Sequence, residues 1–451
     1  MAGLRKVEGR GWALLATSLG FAVVQLDVSV VNVAIQPIGA DLGGSVAGLQ
    51  WVVNAYTVAF AALILSAGAL GDRVGARRVF AAGFAVFTLA SAACGLAPTL
   101  PALIAARAVQ GSGAAVLVPC SLSLLTHMYP DPAGRARAVG LWAAGAAAAL
   151  SAGPLVSGLL TAALGWRSVF FVNAPIGLAG ILLTYRYAAE TSRSRSRGVD
   201  LPGQLAAVVA LVALAVAVVD GGRDGFGTAP VLLGFGLAGL AAGAFVLVES
   251  RRSSPMLPLG LFRSGTFSAS TAIGLTMNVA FYGLIFLLSL YFQRARGWSV
   301  LATGLAFAPT TAAVLVGNLA ARRLTAAVGT RRTLVGAAVV LAGSLAGLVA
   351  VGAATPYPVL VGPLAMAGFA LGVLVPVITA ALLGSVEPSR SGVASGTLNT
   401  ARQTGSVLGV SAFGALTSVG LVPALRLAAT ISVALAGVCA VLALAVRADA
   451  T

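Results

Sequence analysis

Residues 21–42 read FAVVQLDVSVVNVAIQPIGADL, an apolar run of helical length with one aspartate, Asp27, buried in its pattern. A helix needs about 20 mostly apolar residues to cross a hydrocarbon core. A carboxylate at that depth costs about 2.5–3.5 kcal/mol on insertion scales, so an acid kept there is expected to have a task. Whether the rest of the chain repeats this run decides the fold.

It does. The 451 residues are 59% hydrophobic and only 9% charged, with mean hydropathy +0.99. A soluble domain is about a quarter charged, so this is the composition of a membrane protein. The 56 glycines suit helices that pack closely in lipid. The net charge of +16 does not point to nucleic acid, because the arginines fall in short clusters between apolar runs. Cys94, Cys120 and Cys439 sit in separate apolar runs with neither metal-ligand nor disulfide spacing. No removable signal peptide is expected: Arg5, Lys6 and Arg10 precede a run that is too long and has no clear cleavage site.

Fourteen spans are expected: 11–36, 48–70, 79–97, 101–126, 137–162, 168–189, 201–220, 229–249, 267–291, 300–321, 333–353, 358–384, 393–418 and 424–446. All are read as helices, since open strands cannot satisfy their backbone groups in lipid. Placing the N-terminus inside leaves 21 of the 28 basic residues in cytoplasmic segments, five outside and two, Arg107 and Arg402, within spans. Both ends are therefore expected in the cytoplasm. The stretches 186–200 and 249–265 read as solvated cytoplasmic linkers. GALGDRVGARR (68–78) and GNLAARRLTAAVGTRR (317–332) form a weak internal repeat, with Ala321 standing where the first copy has Asp72. Related halves around a central site are the mark of secondary transporters.

Several motifs carry a family resemblance. LDVSVVNVAIQPI (26–38), GALGDRVGARR (68–78), RAVQGSGAA (107–115), GPLVSG (153–158), GWRSVFFVNAPIG (165–177) and NTARQTGSVLG (399–409) occur in order along the chain. Together they resemble the major facilitator superfamily and, within it, the 14-spanner drug:proton antiporters. The likeness departs from the family pattern at Ser29, at the late Pro37, and at Ala149 and Ser157. It implies an all-α membrane fold with two six-helix halves (11–190 and 265–447), two extra helices inside a linker (191–264), and cytoplasmic ends at 1–10 and 448–451. It also implies a proton-driven exporter of lipophilic small molecules in the cell membrane, working as a monomer without cofactor or metal.

A proton-driven transporter needs a group that gains and loses a proton inside the membrane. Of the twelve acids, only Asp27 lies deep in a core span, so it is the expected proton carrier. At helical rise it lies roughly 12–14 Å below the outer end of its span, and Arg107 roughly 9 Å below the outer end of the fourth. The resemblance sets these helices side by side, so Arg107, with Gln110 near it, is the expected partner. Gly68, Asp72, Arg73, Gly75, Arg77 and Arg78 form the expected gating loop, with Asp72 bonding a neighbouring helix N-terminus and the arginines meeting acids or lipid phosphates. Gly140, Gly153, Pro154 and Gly158 match the antiporter motif, and Pro154 weakens its helix locally. Asn54, Tyr56, Trp142, Asn278, Phe281, Tyr282, Phe307 and Arg402 are candidate cavity residues, since an apolar drug site offers aromatics with a few amides.

An enzyme is not expected. The one histidine, His127, stands near a span end with no acid or base at useful spacing, and the serines lack a partner. An importer or channel of the same fold remains the alternative reading.

Overall fold

The computed structural model describes residues 2–191, 200–252, 255–387 and 390–447. Among them all regular structure is helical. The first half comprises α1 (Ala2–Leu42), α2 (Val46–Val74), α3 (Ala76–Gly95), α4 (Leu100–Met128), α5 (Pro132–Leu164), α6 (Ser168–Phe171) and α7 (Asn173–Tyr187). Next come α8 (Leu201–Asp224) and α9 (Ala229–Arg251), which hold the expected extra pair. The second half comprises α10 (Gly265–Leu290), α11 (Val300–Ala306), α12 (Ala308–Val328), α13 (Thr330–Ala346), α14 (Tyr357–Gly384), α15 (Ser391–Ala415) and α16 (Leu421–Leu444).

Short polar residues set many of the helix starts. Ser45, Thr99, Asp131, Asp200, Ser264 and Ser299 each accept a hydrogen bond from the backbone N–H three residues on. This satisfies donors that a helix start would otherwise leave open in lipid. Two expected spans are broken. The sixth parts at Val172 and the tenth at Phe307, because Pro175 and Pro309 have no N–H to give the carbonyl four residues back. In both copies of the internal repeat a single glycine joins two helices: Gly75 at φ 112° and Gly329 at φ 82°, a region closed to most side chains.

Twelve helical segments among the described residues are long and apolar enough to cross a membrane. The expected spans 333–353 and 393–418 are the two outside that set. α13 has 17 residues and gives way to turns at Gly347. α15 is long enough but carries Asn399, Arg402 and Gln403, and it packs against α2, α8, α10 and α14. Its polar face meets protein, so the helix need not be apolar throughout.

Each half has its own apolar core, one centred on Phe80, Phe84 and Phe87, the other on Phe267, Ile273 and Phe292. α8 and α9 pack on each other, and α8 also touches α2 and α15, one helix from each half.

Candidate functional site

Asp27 is wholly buried, and three donors converge on its carboxylate. Arg107 Nη1 donates to Oδ2 at 2.5 Å, while Gln110 Nε2 and Asn173 Nδ2 donate to Oδ1 at 2.8 and 2.9 Å. Arg107 is buried as deeply, at 1% exposure. Its Nε donates to the Val52 carbonyl at 3.1 Å, its Nη1 also reaches Gln110 Oε1, and its guanidinium lies 4.2 Å over the Tyr56 ring. Asn173 in turn donates to Ser91 Oγ at 3.0 Å, and Ser91 donates to the Phe170 carbonyl. Six helices of the first half, α1, α2, α3, α4, α6 and α7, are thus joined through one charge pair and its hydrogen bonds. The break before Pro175 places Asn173 at the start of α7, where its side chain reaches inward. Asn173 was not among the expected site residues; its only signal in the sequence was its place in the GWRSVFFVNAPIG motif.

A cavity of about 970 Å³ runs in from the end of the bundle that carries Asp72. Its wall takes Ile64, Gly68 and Asp72 from α2, Pro119, Ser123 and Thr126 from α4, Arg135 and Trp142 from α5, and Arg390, Gly396 and Asn399 from α15 and its start. Residues Pro255, Met256 and Pro258 close one side. That strap is tied down: Glu249 accepts from the Leu257 N–H at 2.9 Å, and Met256 Sδ lies 3.0 Å from the Ser66 hydroxyl on α2, which donates to Gln204. The volume is that of a drug-sized site.

The opposite end, marked by the Asp41–Arg167 ion pair, is shut. Gln50 donates to the carbonyls of Val410 and Ser411 at 2.9 and 2.8 Å, and Asn54 to Ser411 Oγ at 2.8 Å. Ser289 donates to the Asn32 carbonyl and Gln293 to that of Val33. Arg294 donates to Gln36 Oε1 at 2.5 Å. Gln293 and Arg294 stand on a widened turn, Tyr291–Ala295, that ends α10 and turns them toward α1.

The structure redistributes the expected cavity residues. Trp142 is in the wall, stacked on Phe21 with ring centroids 4.3 Å apart. Asn54 belongs to the closed seam, Tyr56 packs on Arg107, and Asn278 spends its amide on Gly274 of its own helix. Phe281, Tyr282 and Phe307 line voids of about 30 Å³, each with room for a water and not for a drug. These aromatics lie packed where the halves meet, so apolar character alone did not mark the open wall. Arg402 lies one turn beyond Asn399.

In the expected gating loop, Asp72 forms part of the cavity mouth, and Arg73 is exposed. The start of α3 is held by Glu190 and Thr191, which were read only as linker: Glu190 Oε1 accepts from the Arg77 N–H at 3.0 Å and Thr191 Oγ1 from the Ala76 N–H at 3.0 Å. Arg78 lies 3.7 Å from Glu190, and Arg77 donates to the Tyr185 carbonyl. These contacts stay within one half. A Cβ on Gly68 would meet Pro119 at ordinary contact distance, 3.7 Å.

Of the antiporter-motif residues, Pro154 and Gly158 lie at the seam between halves, and Gly153 packs on α1 within the first half. A Cβ on Gly153 would fall 1.6 Å from Ser29 Oγ, and one on Gly158 would sit 3.2 Å from the Val300 carbonyl oxygen. A Cβ on Gly304 would lie 2.5 Å from the Pro154 carbonyl oxygen, which as backbone cannot step aside. Gly140 meets nothing within 4 Å, since α5 stands clear at the cavity end. Gly304→Leu should therefore disfavour this closed seam by about 1–3 kcal/mol. The measurement is thiol labelling of a cysteine placed at Ser123 in the cavity wall. Labelling from the Asp72 end should fall several-fold, and an unchanged rate would show that the seam tolerates the side chain.

The chain matches the Major Facilitator Superfamily over residues 17–410 and again over 271–449. It is 41% identical over 414 residues to the methylenomycin A resistance protein of Streptomyces coelicolor, covering 92% of this chain and 87% of that protein. It is 36% identical over 404 residues to the methylenomycin A resistance protein of Bacillus subtilis, covering 89% and 86%. It is 36% identical over 403 residues to the multidrug resistance protein Stp of Mycobacterium tuberculosis, covering 89% and 75%. With the twelve apolar helices, the central cavity and the shut far end, these matches make it a multi-pass membrane transporter, not an enzyme: the chain belongs to the major facilitator superfamily.

Proposed function

We propose that this protein exports lipophilic small molecules, antibiotics among them, across the cell membrane in exchange for protons. The resistance and multidrug-resistance proteins it is similar to support export of drugs. The observation that carries proton coupling is the Asp27–Arg107 pair, fully buried, with Asp27 the one acid deep in a core span. A proton taken by Asp27 cancels the charge that Arg107 faces, and the contacts that gather six helices around that charge then weaken. In this reading Asp27 is the carrier, Arg107 and Gln110 set its surroundings, and the drive comes from the proton gradient with no cofactor.

All fourteen expected spans cross the membrane in this reading, with both chain ends in the cytoplasm, as the arginine distribution favours. The cavity then opens to the cytoplasm, where an exporter loads its cargo. The protein acts as a monomer, its two halves rocking about the cavity.

The test is reconstitution in liposomes with an imposed pH gradient. Drug-dependent release of protons from the acidic lumen is expected, whereas substrate and proton entering together would replace export with import.

Asp72 serves as a gate latch in the same scheme, bonding a neighbouring helix N-terminus. Asp72→Asn should slow turnover while drug binding to purified protein changes by only a few-fold. Lost binding at a normal turnover rate would remove the latch.

A further inference from the structure

Among the described residues Arg402 is a cation without a counter-ion. Its side chain makes no hydrogen bond or ion pair among the described residues, and its Nε is buried and unpartnered. The rest of the residue keeps partial exposure. That exposure does not face lipid, because α15 is surrounded by α2, α8, α10 and α14. Arg402 stands one helical turn beyond Asn399, which lines the cavity, and its Cγ packs against Gly274, where a Cβ would sit 3.3 Å away. The glycine makes room for the arginine, which stands one helical turn inward of the last cavity-lining residue of α15, Asn399.

A charge held within a membrane protein without a partner is costly, and such groups face a substrate path or an ion. Asp27, the acid deep in a core span, is committed to Arg107, Gln110 and Asn173. The cavity wall itself carries Arg135 and Arg390 against Asp72, so its charge favours an entering anion. The guanidinium fork matches a carboxylate in two parallel hydrogen bonds.

Resting on the export reading, we propose that Arg402 is the counter-ion for the cargo, and that the preferred cargo is a lipophilic monoanion bearing a carboxylate. The molecule enters at the Asp72 end, passes Trp142 and Asn399, and sets its carboxylate against Arg402 with its apolar body in the cavity. No bond is made or broken.

The experiment compares an aromatic carboxylic acid with its uncharged primary amide, by equilibrium binding to the purified full-length protein and by efflux in proteoliposomes. A charge-assisted bidentate contact predicts tighter binding of the carboxylate by about ten- to a hundredfold. In Arg402→Gln that ratio should collapse toward one, and in Arg402→Lys it should take an intermediate value. Asn399→Asp, which sets an internal acid one turn away, should collapse it too and serves if Arg402→Gln fails to fold. Equal binding of acid and amide by the wild type, or an unchanged ratio in both Arg402→Gln and Asn399→Asp, would overturn the assignment. If the wild type prefers the carboxylate but exports neither compound, the anion site stands and the export reading falls.

Discussion

In Asp27→Asn, uphill efflux should vanish while downhill exchange of drug across the membrane continues. The amide keeps the shape of the carboxyl but cannot cycle a proton. Its carbonyl can still accept from Arg107. The Asn173 amide can turn over to meet the new N–H₂, because an amide offers both a donor and an acceptor, while Gln110 keeps its Oε1 on Arg107. Arg107 also keeps the Val52 carbonyl and the Tyr56 ring face. The variant should therefore reach the membrane in near-normal amounts, and the loss should fall on coupling. The measurement is drug accumulation against a gradient beside counterflow without one, at matched protein levels. Uphill transport at the wild-type rate would end the carrier assignment.

Arg107→Ala should do more damage to the protein itself. It leaves the Asp27 carboxyl wholly buried beside two amides with no cation, and breaking a buried pair on one side costs about 3–5 kcal/mol. Removing both charges is a different matter, since apolar replacement of a whole buried pair is often neutral. Arg107→Ala should thus melt well below the wild type in detergent, whereas Asp27→Leu with Arg107→Met should recover most of the difference and still not pump. If the double variant melts no higher than Arg107→Ala, the pair does not act as one electrostatic unit.

Much of this was legible in the sequence, for reasons that differ from residue to residue. Helical rise is fixed, so Asp27 and Arg107 could be set at similar depth from span limits alone. Span counting from hydropathy was less direct at α13 and α15, where one helix is short and the other is polar on a face that meets protein. Asn173 escaped notice because nothing in its own chemistry tells an inward amide from an outward one; the proline two residues on decides that. Glu190 was read as linker because its partner at the start of α3, the Arg77 backbone N–H, is more than 100 residues away. The cavity wall was the least legible part. It depends on which end of the two halves stands apart, and composition does not encode that tilt. Phe281 and Phe307 would suit a drug equally well in either position.

The shut end has a consequence for how this protein can diversify. Gln50, Ser289 and Gln293 hold main-chain carbonyls at Val410, Ser411, Asn32 and Val33. A carbonyl is there whatever side chain its residue carries. Replacements at 410, 32 or 33 that fit sterically leave these acceptors in place, so Gln50 and residue 410 have no reason to change together among relatives. A search for correlated substitutions would register Asp27 with Arg107 and pass over these main-chain contacts, leaving only Asn54 with Ser411 and Arg294 with Gln36 visible at the seam. New cargo preferences can then arise by rewriting residues such as Ser123, Met256 or Asn399 while the closure keeps working.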